Sequence, residues 1–273
     1  MDDDVPSVTL RDGAVVPQLG FGLAPGAPAD AAATIGVALA LGYRRFDIAP
    51  GREADMAAAL AASGLPRAAV TLALGLAADT SGRDGVLAGF DAAMRRLALS
   101  QLDLLLLPAP AAAGDDCVPA WTTLVELQQQ GHVRSIGVAG FGRAQLERLI
   151  AATGAAPAVN SIVLHPLAQQ RDLRGYHARR AIRIASVRPL GGGAAGGVLA
   201  APAIGVIARK HARTPAQIII RWHLQEGLLV GPGATRPAQL AENRDVFGFA
   251  LDAEDMYRIE ALDRPEDGGG ATA

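Results

Sequence analysis

The stretch that decides the fold runs from Leu102 to Gly140, LDLLLLPAPAAAGDDCVPAWTTLVELQQQGHVRSIGVAG. It opens with an unbroken apolar run of strand length, LDLLLLP (102–108). After a loop rich in Pro, Gly and Asp comes CVPAWTTLVELQQQ, whose apolar residues recur at three- and four-residue spacing, the period of a helix with one buried face. A second apolar run, VRSIGVAG (133–140), follows at once. Two strands joined by a helical crossover lie parallel. Strands that are apolar throughout belong to a sheet covered on both faces.

Outward from this unit the same alternation continues in both directions. The runs VPQLGFG (16–22), YRRFDIA (43–49), AVTLALG (69–75), PAVNSIVL (157–164), RIASVRPL (183–190) and GLLVGPG (227–233) bring the candidate strands to eight. Helical patterns such as ADAAATIGVALALG, GVLAGFDAAMRRLALS and TPAQIIIRWHLQEG lie between them. In the last of these, Thr214 is an N-cap, Pro215 suits the first turn and Gly227 is a stop. Ahead of everything, SVTLRDGAVVP reads as two short strands about the Asp12-Gly13 turn. Eight strand–helix alternations in ~250 residues are the pattern of a (β/α)8 TIM barrel, here with an N-terminal β-hairpin. A doubly wound open sheet is the competing architecture, but it opens on a glycine-rich strand–helix turn that this chain lacks. No linker or repeat interrupts the pattern, so residues 1–273 form one domain, with a loose tail from about residue 264.

Of the 273 residues, 50% are hydrophobic and only 4% aromatic, so the core is aliphatic. A net charge of −2 gives no electrostatic footprint for nucleic acid or for an anionic membrane surface. A single cysteine, Cys117, excludes an internal disulfide framework and a cysteine zinc site. No run reaches the ~20 apolar residues of a membrane span, and MDDDVPS lacks the regions of a signal peptide; a cytoplasmic protein is expected. Two counts matter most for mechanism: one lysine, Lys210, and three tyrosines, Tyr43, Tyr176 and Tyr257.

In such a barrel, chemistry sits at the C-terminal ends of the strands. Those ends fall at Gly22, Asp47, Gly75, Pro108, Ala139 and Gly140, Ser161, Val187 onward and Gly233 onward. Asp47 is their one carboxylate, and they hold no His, Lys, Tyr or Cys.

Together the segments VPSVTLRDGAVVPQLGFG, LGYRRFD, LSQLDLLLL, GHVRSIGVAGF, PAVNSIVLHP, RTPAQIIIRWHLQEG and AENRDVFGF resemble the aldo-keto reductase family, in order, from Val5 to about Leu262. The likeness is to bacterial reductases of small diketones and keto sugars. It implies NADPH-dependent carbonyl reduction by a tetrad of Asp, Tyr, Lys and His. Hydride delivery makes an alkoxide that a nearby acid must protonate. A Tyr does so when an adjacent Lys lowers its pKa from ~10, while the Asp steadies the Lys and the His orients the carbonyl. On this chain the Asp falls on Asp47. The Tyr-bearing loop reads APGREADM (49–56), about two residues shorter and without tyrosine, and Gly75 and Pro108 take the places of the Lys and the His.

The resemblance also implies the cofactor positions. The carboxamide grips read Ala139, Gly140 and Ser161, the stacking aromatic reads Val187, and the Lys-Ser pair for the 2′-phosphate reads Gly233-Ala234. Retained positions are Gly22, Leu190, Gly191, Glu242 and Asn243, with Arg236 near enough to replace the lost lysine in part. Charge-assisted contacts are worth roughly 1.5–3 kcal/mol each, so these losses predict weakened NADPH binding.

The expectations are therefore specific. Asp47, lacking its lysine, pairs with Arg52 in the shortened loop. His132, His165, His211 and His223 are structural, and no pair has metal-ligand spacing. The run Gly191–Gly196 matches G-x-G-x-x-G by letter but follows a late strand, where that match is weak. Cys117 is an unreactive thiol. Phe21, Leu23, Pro108, Ala109, Phe141 and Val187 line an apolar cavity. The function expected is that of a pseudoenzyme binding a small apolar ligand or a protein partner. An NADPH-dependent reductase with an atypical site is the alternative, and a lyase or isomerase using Asp47 a second one.

Overall fold

In the computed structural model, residues 5–23, 30–110, 116–193 and 197–264 are described. The hairpin pairs β1 (Ser7–Thr9) with β2 (Val15–Pro17) in antiparallel register. Its turn passes through Gly13 at φ 87°, a conformation that a side chain resists. Eight parallel strands follow among the described residues: β3 (Phe21–Leu23), β4 (Arg45–Ile48), β5 (Thr71–Gly75), β6 (Leu102–Pro108), β7 (Val133–Ala139), β8 (Val159–Val163), β9 (Arg183–Val187) and β10 (Leu229–Val230). Each pairs with its successor. The ring closes where Leu19 bridges Val230, with Gly20 donating to the Val230 carbonyl at 2.8 Å and Val230 to that of Gln18 at 2.9 Å. This closure rules out the open sheet, and every barrel strand lies within a run predicted from the sequence except β3, which extends one residue past its run to Leu23.

Ten helices among the described residues surround the barrel: α1 (Ala31–Ala40), α2 (Glu53–Ser63), α3 (Gly82–Leu97), α4 (Val118–Gln129), α5 (Arg143–Thr153), α6 (Arg171–Arg179), α7 (Pro202–His211), α8 (Pro215–Gln225), α9 (Pro237–Arg244) and α10 (Ala253–Glu260). The predicted cap of α8 forms in full. The Gln217 N–H reaches Thr214 Oγ1 at 3.3 Å, and the Thr214 N–H reaches Gln217 Oε1 at 2.9 Å, a reciprocal capping box. Among the described residues no helix is long and apolar enough to cross a membrane. The tail from 265 onward lies outside the described residues.

Strand alternation divides the apolar residues into two layers. Phe21, Leu23, Phe46, Ile48, Leu72 and Leu74 join Ile35, Met56 and Val86 in the core between sheet and helices. Phe21 meets Tyr43 and Phe46 edge-on at 6.3 and 6.4 Å. Inside the barrel, Leu10 and Val16 of the hairpin region cluster with Ala73, Leu104, Val159 and Leu229. The hairpin therefore plugs the N-terminal end, and the open end is the one where the strands finish. The expected apolar cavity is corrected by this layering. Phe21, Leu23 and Phe141 are buried in the core beneath the helices, leaving Pro108, Ala109 and Val187 half-buried at the mouth.

Candidate functional site

The sequence RFDI alternates, so Arg45 and Asp47 of β4 point to the barrel interior while Phe46 and Ile48 point outward. In register, Asp47 stands between Gly22 of β3 and Ala73 of β5. The Arg45 guanidinium grips the Asp47 carboxylate with both prongs, Nε to Oδ1 and Nη2 to Oδ2, each at 3.2 Å. Its third nitrogen, Nη1, donates to the carbonyls of Pro17 at 2.6 Å and Gln18 at 2.7 Å. Arg45 is only 2% exposed, whereas the Asp47 side chain is 34% exposed. The cation thus lies in the barrel and the carboxylate rises from it into the mouth. Glycines make the room: a Cβ on Gly20 would stand 2.6 Å from Arg45 Nε, and one on Gly231 would collide with the Asp47 carboxylate.

This pair corrects the expected Asp47–Arg52 bridge. Arg52 is the N-cap of α2 and bonds Asp55 in the first turn at 3.1 Å. Helical geometry offers it a neighbour three residues on, while the two-residue period of β4 offers Asp47 its own arginine.

The other tetrad positions carry no proton-transfer group. Gly75 ends β5, with open space where its Cβ would be. Pro108 ends β6 opposite Ala139. The loop from Ala49 turns at once into α2, the Arg52 N–H meeting the Ala49 carbonyl at 3.2 Å. The first residue of α2, Glu53, is buried and bidentate with Arg96 at 3.0 Å. Tyr43 precedes β4, donates to the Leu240 carbonyl at 2.9 Å, and is pushed well above the usual tyrosine range by burial. Tyr176 is buried on α6, and Tyr257 is exposed on α10. Lys210, on α7, is bound to Asp252 at 2.6 Å and Asp255 at 2.9 Å on the far helix α10. None of these four substitutes at the strand ends.

The retained cofactor positions separate into three places. Gly22 packs against β10, where a Cβ would lie 2.5 Å from the Gly231 carbonyl oxygen. Leu190 and Gly191 follow β9, and a Cβ on Gly191 would meet Val198 Cγ1 at 2.9 Å. Glu242 ties α9 to the start of α8, accepting from the Thr214 hydroxyl at 2.6 Å, and Asn243 beside it is buried. Arg236 is exposed at the start of α9. Gln239 folds back to accept the Thr235 and Arg236 N–H groups at 2.9 and 3.2 Å. At the positions the family resemblance implies for NADPH, Val187 has no ring to stack, Ala139 and Gly140 have no polar side chain to pair a carboxamide, Ser161 keeps a hydroxyl, and Glu242 is bonded to Thr214. Of the glycine-rich run, residues 194–196 lie outside the described residues.

The histidines sit in packing and hydrogen-bond contacts. His223 is fully buried, its imidazole 2.8 Å from the Ile219 carbonyl and 3.0 Å from the Ser186 hydroxyl, and burial lowers its pKa to about 4. His177 bonds Asn160 at 3.0 Å, His211 bonds Asp255 at 2.7 Å, and His132 packs on Phe90. His165 closes a tight turn with Ala168. Burial raises the pKa of the Cys117 thiol, which favours the inert form.

A closed ring of eight parallel strands, plugged by a hairpin and with an aspartate rising from its second strand, defines a (β/α)8 barrel whose chemistry belongs at the C-terminal face. The chain belongs to the aldo/keto reductase family, whose pattern matches residues 18–264. It is 40% identical to an aldo-keto reductase of Mycolicibacterium smegmatis, covering 94% of each chain. It is 39% identical to methylglyoxal reductase DkgA of Escherichia coli O157:H7, covering 94% of this chain and 93% of that one. Among solved structures, a mutant of Gox0644 in complex with NADPH superposes with a TM-score of 0.92 at 42% identity, over 99% of this chain and 97% of that one.

Proposed function

We propose that this aldo-keto reductase barrel is a pseudoenzyme: it does not reduce carbonyls by the family's proton-transfer route and acts instead by binding a small apolar molecule or a protein partner. The Arg45–Asp47 pair carries this reading. The carboxylate that would steady a lysine is satisfied by a guanidinium from below, and Gly75 and Pro108 supply neither ammonium nor imidazole. A guanidinium, with a pKa above ~12, is a poor proton donor to an alkoxide. General acid catalysis contributes typically ~10²–10⁴ in rate, and the acid, its tuning cation and the orienting group are missing together.

The relatives favour a second reading, an NADPH-dependent reductase with an atypical site. Similarity to a methylglyoxal reductase and to a structure holding NADPH extends over nearly the full chain. In that reading water is the proton source, admitted beside the exposed edge of Asp47. Titration of NADPH into the purified protein, followed by cofactor fluorescence with NADH as control, separates the two. No saturation up to about 1 mM supports the pseudoenzyme. Saturable micromolar binding supports the reductase.

A further inference from the structure

The outer wall of the barrel holds a cavity of about 540 Å³ between α6, α8 and α10, within the size range of small-molecule sites. We propose that it binds a small amphiphilic anion, an apolar body carrying one carboxylate. The cavity exists because α6 is short and buries only Tyr176 and His177. Ion pairs rather than interdigitated side chains link it to its neighbours: Arg174 to Glu226 at the end of α8, and Arg171 to Glu260 and Asp263 at 2.5 and 2.7 Å. Behind these bridges the lining mixes the apolar Ile184, Trp222 and Leu228 with the polar Gln169 and His177.

The charge on the rim is unbalanced. Glu226 is matched by Arg174, and Glu260 and Asp263 share Arg171, while Arg183, which also lines the cavity, has no ion pair among the described residues. Its Nε donates to the Thr9 carbonyl at 3.2 Å. Arg179, likewise without an ion pair among them, folds back over the lining residue Gly175, its Nη1 3.5 Å from where a Cβ would stand. With Arg179 at the edge, four guanidiniums face three carboxylates, and the one surplus cation beside the apolar part of the lining complements one anionic head and one apolar tail. A neutral or cationic ligand leaves that charge unmet. The site is separate from the mouth, because Arg183 begins β9 and Val187 ends it, about 13 Å apart at ~3.3 Å per residue. It holds whichever reading of the mouth is correct.

Calorimetric titration with decanoate, decanol and decyltrimethylammonium tests it on the full chain. Decanoate is expected to bind saturably at one site, with decanol about tenfold weaker or more, as befits the loss of a charge-assisted contact, and no binding of the cation. Arg183→Gln weakens decanoate by about the same factor. Ala178→Trp, at an exposed lining position on α6, abolishes binding while the melting temperature holds. Absence of decanoate binding, equal binding of the three probes, or an isotherm unchanged in either variant would overturn the proposal.

Discussion

Removing the mouth carboxylate is the perturbation most revealing of how this barrel is built. In Asp47→Ala, Arg45 keeps its carbonyl partners at Pro17 and Gln18 but loses both acceptors on Nε and Nη2, in a site where it is 2% exposed. Stranding one member of a buried pair costs ~3–5 kcal/mol. The carboxylate end is 34% exposed, so water enters the vacated volume and the cost falls at the low end, about 3 kcal/mol. Arg45→Met takes a donor from the Pro17 and Gln18 carbonyls, the latter keeping the Val230 N–H, and leaves the carboxylate without its cation, about 2–3 kcal/mol. The double variant removes the charge altogether, and the single costs overlap by about 2 kcal/mol. Arg52→Met, which breaks the part-buried i,i+3 pair with Asp55, costs under about 1 kcal/mol from that pair. Urea unfolding near neutral pH, read from midpoints at constant slope, supplies all four values. An Asp47→Ala cost below about 1 kcal/mol, an additive cycle, or an Arg52→Met cost matching that of Asp47→Ala would refute the assignment of Arg45 as the partner.

Three further outcomes follow from the same geometry. Gly231→Ala pushes a methyl into the Asp47 carboxylate and costs about 1–3 kcal/mol in urea unfolding, a penalty that disappears in the Asp47→Ala background. Gly75→Lys projects into open space and changes stability by less than about 1 kcal/mol; by itself it gives no NADPH consumption, since the Tyr and His remain absent. His223, held near about 4 by burial, titrates at about 6.5 when unfolded. The unfolded chain therefore binds the proton first, and stability falls as pH drops from about 6.5 to about 4, by up to about 3 kcal/mol from this group. Urea midpoints across that window decline less steeply in His223→Gln, and an identical slope would contradict the assignment.

The strands were legible because each is an apolar run, as a sheet covered on both faces requires, and the hairpin because Asp12-Gly13 has few other uses. That the lysine and the tyrosines lie away from the strand ends was legible too, since one lysine and three tyrosines leave little to place. The partner of Asp47 is harder to see, although the two-residue period of RFDI puts Arg45 on its face; closeness within the shortened loop favours Arg52 instead. The same parity separates Gly22, which faces the interior, from Phe21 and Leu23, which face the helices. Gly231 could not be found from local pattern, because only closure of the ring brings β10 beside β3. Glu242 and Asn243 match the family by letter, and the sequence alone does not show that Glu242 also accepts from the Thr214 hydroxyl and that Asn243 is buried.

The proposal that this barrel does not reduce carbonyls is tested most directly by following NADPH absorbance with the purified protein and methylglyoxal, the substrate in the name of a 39% identical relative. The predicted result is a rate no greater than that of the protein-free control at any carbonyl concentration. Saturable, protein-dependent oxidation of NADPH, with one alcohol formed per cofactor consumed, would contradict it and make this chain a reductase.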